Sequence, residues 1–198
     1  MTRLQVWFDV GCEWTWLTAE WLRQVAPHRD LDLRWRVYSL TLRKLGDTPA
    51  EPGRSITLGA ARLLEAVWAD HGDAPIGPLY EQLGRAVHDD GAQRDRTLLE
   101  RALAATDLDQ RYADAAADPR WDAEVRGSMA DGDRLAGADV AVPILALGDD
   151  PQWAYGGPVL SKRLADDAAL RVWDAYAALA AEPAFFELKR TRTAQPEL

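Results

Sequence analysis

A chain of 198 residues suits one domain, or one domain carrying a large insertion; 47% hydrophobic residues supply a real core, and no stretch approaches a membrane span. The formal charge of −9 argues against a nucleic-acid partner, because a phosphate backbone calls for clustered Lys and Arg. With a single cysteine no intrachain disulfide can form, and no charged-then-apolar leader is visible, so the chain reads as cytoplasmic and neither secreted nor membrane-bound. Its three histidines and one cysteine stand far apart and match no spaced zinc motif, so no metal site is expected. Arginine far outnumbers lysine and alanine is abundant, a bias that reads as a GC-rich genome.

The chain opens on a strand, with Leu4, Val6, Trp7, Phe8 and Val10 apolar and mostly β-branched or aromatic. Gly11 punctuates, and Trp14, Leu17, Trp21 and Leu22 then recur at helical spacing. Cys12 therefore falls near a helix N-terminus, where free N–H groups and the macrodipole favour a thiolate. This placement predicts that Cys12 titrates below a free thiol. Pro27-His28-Arg29-Asp30 reads as a turn-rich connection to a second strand, with Leu31, Leu33, Trp35, Val37 and Leu40 alternating against polar neighbours. A β-α-β unit of this kind predicts a parallel pair with right-handed crossover.

From about Thr41 to Ala136 the pattern is helical throughout. Residues 46–55 form a Pro/Gly loop in which Ser55 can cap the next helix. Four apolar stripes follow: Ala60, Leu63, Leu64, Val67 and Trp68 ending near His71-Gly72; Leu79, Leu83 and Val87, opened by Pro78 and stopped at Asp89-Asp90-Gly91; Leu98, Leu99, Ala102 and Leu103; and Trp121, Val125 and Met129. Roughly ninety residues are too many for a structureless loop, which makes this an all-helical insertion.

Strands return over residues 140–147, and a turn at Gly148 to Pro151 leads into Trp153-Ala154-Tyr155 as a hairpin. Gly156-Gly157-Pro158 precedes a last helix with Leu170, Trp173, Ala177 and Leu179 inward. Pro143 removes a ladder hydrogen bond, so it belongs at a strand start, an edge or a special turn, and a cis Val142–Pro143 bond is one way to keep it. The order β-α-β, helices, β-β-α predicts an α/β thioredoxin-like fold, with residues 1–41 and 137–198 as the thioredoxin-like domain and 42–136 as the helical insertion domain.

Trp7-Phe8-Asp9, Cys12-x-Trp14, Trp16 and Trp21 resemble the WFD-x-x-C-P-W-C-W segment of the actinobacterial mycothiol-dependent reductases, often called nitroreductases, in the DsbA-like branch of the thioredoxin superfamily. Residues 157–162 and the long, unusual stretch from Phe185 to Thr193 are similar to that family's C-terminal signatures, so the resemblance spans nearly the whole chain. It implies a thiol-dependent oxidoreductase with mycothiol as co-substrate and no metal, Cys12 as nucleophile, and Trp14, Thr15, Val142 and Pro143 around the thiol and the substrate. The substrate would be a small electrophile or disulfide. Neither it nor the oligomeric state is specified.

Two departures matter. Thr15 stands where the family has its resolving cysteine, so a dithiol cycle cannot be inherited and only monothiol chemistry remains. Kappa-class glutathione transferases and 2-hydroxychromene-2-carboxylate isomerases, which carry S-P-Y-S-like sequences here and bind a small thiol, also resemble the segment. A thiol transferase or isomerase therefore stays open, as does a non-catalytic binding protein. Glu13 replaces a proline; at ~6 Å in near-aqueous dielectric it opposes the thiolate by ~0.7 kcal/mol, about half a pKa unit.

Blander readings stand beside these. A lone cysteine is more often inert core than nucleophile. Trp14 can be core or a stacking platform, Thr15 a turn filler or a hydroxyl donor to sulfur, and Val142-Pro143 a strand terminus or a strand-like dock for the thiol's peptide part. His28, His71 and His88 read as surface or helix-end residues, Trp35, Trp68, Trp121 and Trp173 as core, and Lys189 to Arg192 as a solvated tail.

Overall fold

The computed structural model describes residues 1–50 and 55–198. Its strands β1 (Thr2–Phe8), β2 (Leu31–Val37), β3 (Ile144–Leu147) and β4 (Tyr155–Gly156) form one sheet in the order β2-β1-β3-β4. β1 runs parallel to β2, with Val6 opposite Trp35, and antiparallel to β3, with Trp7 opposite Ile144. Val6, Trp7 and Phe8 are all buried although their side chains alternate in direction, so β1 is covered on both faces.

Helix α1 (Glu13–Arg29) makes the β1–β2 crossover and packs with α7 (Asp166–Ala180): the Trp21 indole donates to the Ala169 carbonyl at 3.0 Å and stacks tilted against Trp173. α6 (Asp122–Ala136) covers the other face. Trp7 donates to the Ser128 carbonyl at 2.8 Å, Ser128 donates to the Val37 carbonyl at 2.7 Å, and Gly132 lets the helix lie directly on the Trp7 ring. This is the thioredoxin-like layering that the sequence predicts.

Between β2 and β3 the regular elements are helical: α2 (Leu40–Leu45), α3 (Ile56–His71), α4 (Ile76–Gly84), α5 (Arg96–Ala105) and α6. They dock through an aromatic cluster in which Tyr80 stacks on Phe8 at 3.8 Å and meets Trp16 and Trp35, with the Arg23 guanidinium lying over Trp16, Trp35 and Tyr80. Gly84 faces the Trp16 ring so closely that any side chain there would enter it. Arg62, 1% exposed, is held by both oxygens of Asp122 at 2.7 and 3.0 Å, and so joins α3 to α6.

Several boundaries differ from the sequence reading. Pro27 to Arg29 close α1 rather than form a turn: a proline in the last turn forfeits one hydrogen bond without breaking the rest, and the chain reverses at Asp30 in the left-handed region. Leu40 begins α2 under a Ser39 cap instead of ending β2, and α4 starts at Ile76, before Pro78. Residues 140–142 stay outside the sheet, and β3 starts at the residue after Pro143, whose peptide bond with Val142 is cis. Ser55 does cap α3. Residues 51–54 of the Pro/Gly loop lie outside the described residues. Trp68 is 43% exposed rather than core, with its indole donating to Asp73 and Arg36 over its ring, and Trp121 is only half-buried.

Candidate functional site

Cys12 is the N-cap of α1, reached through a tight turn from the end of β1. Asp9 builds that turn: one carboxylate oxygen accepts from the Gly11 N–H and the other from the Leu40 N–H, each at 2.7 Å, while the Cys12 N–H donates to the Asp9 carbonyl. Gly11 abuts Thr57 at the start of α3, where a Cβ would meet the threonine methyl at 2.8 Å, so the first long helix after β2 borders the cysteine turn.

The sulfur makes no full capping hydrogen bond. The Trp14 and Thr15 N–H groups and the Thr15 hydroxyl face it and ease its ionisation, but burial outweighs them, and Asp9 adds repulsion. The Cys12 thiol is therefore pushed up, not down. The reading from helix position alone left out desolvation and a second carboxylate: Glu13 is exposed, whereas Asp9 is almost wholly buried and is itself pushed up by that burial. The Thr15 hydroxyl is buried and has no hydrogen-bond partner among the described residues.

Val142 and Pro143 are buried and directly precede β3. Because Ile144 pairs with Trp7, they come opposite the end of β1, where the chain turns into Cys12. The Val142 peptide makes no backbone hydrogen bond among the described residues. The Pro143 carbonyl accepts from the Gly157 N–H at 2.8 Å, and the Pro158 carbonyl accepts from the Thr18 hydroxyl at 2.8 Å, so the two proline loops are sewn to α1 one turn beyond Trp14. Trp14 is half-buried, and the Arg192 guanidinium lies 5.1 Å over its ring. That basic residue of the C-terminal segment is thus not simply solvated.

His88, which the sequence reads as a surface or helix-end residue, does stand at a helix end, but it is buried and borders the cysteine turn. It is 9% exposed, lies parallel to the Trp16 ring, and its Nε2 sits 2.8 Å from the Val10 carbonyl, two residues before Cys12. Its place follows from a π-helical turn (Arg85–Asp89) that continues α4 and rotates His88 and Asp89 toward α1. Only the widened turn brings it inward, and residue spacing carries no mark of that.

Among the described residues no group of three or more His, Cys, Asp or Glu is placed to hold a metal, and no helix is long and apolar enough to cross a membrane. A groove of about 600 Å³ lies between α4 and α5 against Gln82, Arg85, Ala86 and Arg101, but none of the Cys12-site residues lines it.

A sheet of this order, with a cysteine capping its first helix and a cis-proline opposite, is a thioredoxin-like fold of the kind seen in DsbA-like proteins. The chain belongs to the Rv2466c-like family, described as mycothiol-dependent nitroreductase Rv2466c, whose profile matches residues 11–190. This is a family of thiol-dependent oxidoreductases. The chain is 31% identical to the uncharacterised protein Rv2286c of Mycobacterium tuberculosis over 203 residues, covering 98% of this chain and 84% of that one. In fold it is similar to a probable DsbA oxidoreductase, SCO1869, from Streptomyces coelicolor (TM-score 0.59, 16% identity, 98% and 95% of the two chains). It is also similar to the cytosolic disulfide reductase DsbM of Pseudomonas aeruginosa (TM-score 0.57, 16% identity, 90% and 100%).

Proposed function

We propose that the protein is a cytoplasmic monothiol reductase that uses mycothiol as co-substrate, with Cys12 as its single nucleophile. One observation carries this reading: Cys12 caps α1, and the buried Thr15 hydroxyl beside it can donate to sulfur but cannot form a disulfide. The M. tuberculosis relative and the Arg-rich composition support an actinobacterial source, and the family description supports mycothiol over another thiol.

Cys12 thiolate attacks a mixed disulfide, forming a new Cys12 disulfide and expelling the other sulfur as thiolate. A second small thiol then attacks that bond, restores Cys12 and leaves as the new disulfide, so one disulfide is exchanged for another and no further oxidant is needed. The upward-shifted thiol leaves a small thiolate fraction at neutral pH, offset in part by the greater intrinsic nucleophilicity of a more basic thiolate. Thr15 can donate to the thiolate, Trp14 offers a flat contact, the unpaired Val142 peptide offers strand-type hydrogen bonds to an amide-bearing thiol, and Pro143 fixes that peptide's place. Glu13, at the exposed rim, modulates charge there. The proposed thioredoxin-like domain comprises 1–41 with 137–198, and the helical insertion comprises 42–136, with α6 packing on the sheet and so serving both units.

Intact-mass measurement after treatment with mycothiol disulfide tests the reading. The expected product is one mycothiol on Cys12, removed by free mycothiol and absent from Cys12→Ser; an unmodified wild type overturns it. The orphaned Thr15 hydroxyl also suits a second reading, a transferase or isomerase in which a bound thiol attacks a small hydrophobic electrophile, and activity retained in Cys12→Ser selects that one. Absence of both thiol reaction and thiol binding selects a non-catalytic binding protein.

A further inference from the structure

The two family-like motifs at opposite ends of the chain meet in space. After α7 the chain is pinned to the edge of the sheet: Trp153 donates to the Ala180 carbonyl at 3.1 Å, and Tyr155 donates to the Phe185 carbonyl at 2.6 Å with its ring against Phe185. Arg192 then lies over Trp14, and beyond it the Glu197 N–H donates to the Ser161 carbonyl at 2.7 Å, where Lys162 and Glu197 form a parallel bridge. Residues 181–198 thus form a strap, anchored on either side of Trp14.

The Arg192 guanidinium carbon lies over the Trp14 ring, 5.1 Å from its centroid. Among the described residues it meets no carboxylate, unlike the exposed Arg96, Arg111 and Arg163, which are paired with Glu100, Asp70 and Asp89. A guanidinium carries its N–H donors in a planar fork that matches two oxygens of one acid group, and contact with an aromatic ring uses none of the fork's hydrogen-bonding capacity toward an acid. It stands over the residue two positions from the reacting sulfur, on a strap that also carries Lys189 and Arg190 in a chain of net charge −9.

We propose that Arg192, held on Trp14 by the strap, forms an oxyanion-recognising subsite that selects carboxylate-bearing substrates for Cys12. This rests on the reading of Cys12 as the reacting group. Trp14 takes the flat part of such a substrate and fixes Arg192, while the guanidinium edge takes its carboxylate. Arg192 therefore determines specificity and does no chemistry itself.

The test pairs two chromogenic disulfides that Cys12 thiolate opens in the same way, forming a mixed disulfide and expelling an aromatic thiolate: the dianionic 5,5′-dithiobis(2-nitrobenzoate) and the neutral 4,4′-dithiodipyridine. Arg192→Ala is expected to slow the dianionic reagent about tenfold, the scale of one lost charge-assisted contact, and the neutral one far less. Arg192→Lys, which keeps the charge without the fork, should recover only part. An equal fall with both reagents, or no fall with either, overturns the proposal. Binding of benzoate against benzamide to Cys12→Ser, read by ligand-observed NMR, separates this from the reading of Cys12. Preference for benzoate that disappears on adding Arg192→Ala upholds the subsite even if Cys12 proves unreactive. Equal binding of the two sinks the subsite and leaves the thiol chemistry standing.

Discussion

His88 donates from Nε2 to the carbonyl of Val10 across 2.8 Å, so a residue from the segment between β2 and β3 holds the turn that carries Cys12. A carbonyl only accepts, which places the proton on Nε2 and leaves Nδ1 a bare, buried acceptor without a partner among the described residues. The neighbouring Asp89 takes the Trp16 indole at 3.1 Å and Arg163 at 2.8 Å, so one π-helical turn ties together α1, the cysteine turn and the loop after Pro158.

This relationship sets an acid limit. Burial pulls the His88 pKa below its ordinary value, so the folded state prefers the neutral ring. Stability from this group is full above the unfolded-state pKa and falls as pH drops below it, because the unfolded chain then binds the proton first. Replacing His88 by Leu should cost about 1–3 kcal/mol at pH 7.5 by stranding the Val10 carbonyl. Gln, which can present an N–H near the same place, should recover much of that and flatten the acid slope. Urea unfolding of the three proteins at pH 5 and 7.5 measures this; equal stability of the Leu and Gln variants would sink it.

The reactivity of Cys12 follows first from its burial and then from Asp9. Alkylation by iodoacetamide should give an apparent pKa above that of a free thiol, since burial and the Asp9 carboxylate both oppose ionisation. Asp9→Asn should move the profile down by removing the charge. It should also destabilise the fold by about 1–3 kcal/mol, because an amide cannot accept from both the Gly11 and Leu40 N–H groups. A wild-type profile below the free-thiol value contradicts this account.

The architecture was legible because it is written in periodicity: the apolar run of β1, the helical spacing after Cys12, the stripes of α3 and α5, and a proline marking the start of β3 each have one-dimensional signals. The site was legible only along its own motif. Cys12, Trp14 and Thr15 stand in one turn, and Pro143 is conspicuous, but what sets their chemistry comes from far away. His88 depends on a widened helical turn, and Arg192 meets Trp14 only after the chain has crossed the whole molecule. The thiol's upward shift is a burial effect, and burial at a helix start is decided by what packs over it. Trp68 shows the same limit in reverse, since a periodic apolar position lies at the surface with charged neighbours, Arg36 over its ring and Asp73 on its indole.

Glu65 provides a second, opposite pH response. It is 8% exposed on α3, near Glu124 of α6 and Arg36 of β2, and burial followed by repulsion from Glu124 raises its pKa to about 7. A carboxyl raised in the folded state is bound more tightly as the acid. Its favourable contribution is full below the unfolded value near 4.5 and lost as pH rises through about 7. The difference corresponds to something on the order of 3 kcal/mol between the two limits. Glu65→Gln should remove that slope and stabilise the protein at pH 8 relative to wild type. Denaturant midpoints at pH 5 and 8 read it directly, and an unchanged slope in the variant means that Glu65 is solvated.

Restoring the second thiol asks whether Thr15 alone sets the monothiol character. Thr15 lies on the first turn of α1, three residues from Cys12, a spacing at which helical neighbours face each other. Its side chain is close in size to cysteine and is buried, so Thr15→Cys should fold with little strain. Exposed to a disulfide oxidant, wild type should keep a mixed disulfide on Cys12 until a small thiol removes it. The variant should expel that adduct itself and close a bridge between Cys12 and the introduced thiol, losing both titratable thiols while gaining dithiol exchange. Mass and thiol counts distinguish the two states. A folded variant that retains the adduct would show that the site holds the thiols apart, and that the monothiol character is built into the turn set by Asp9 and His88 rather than into residue 15.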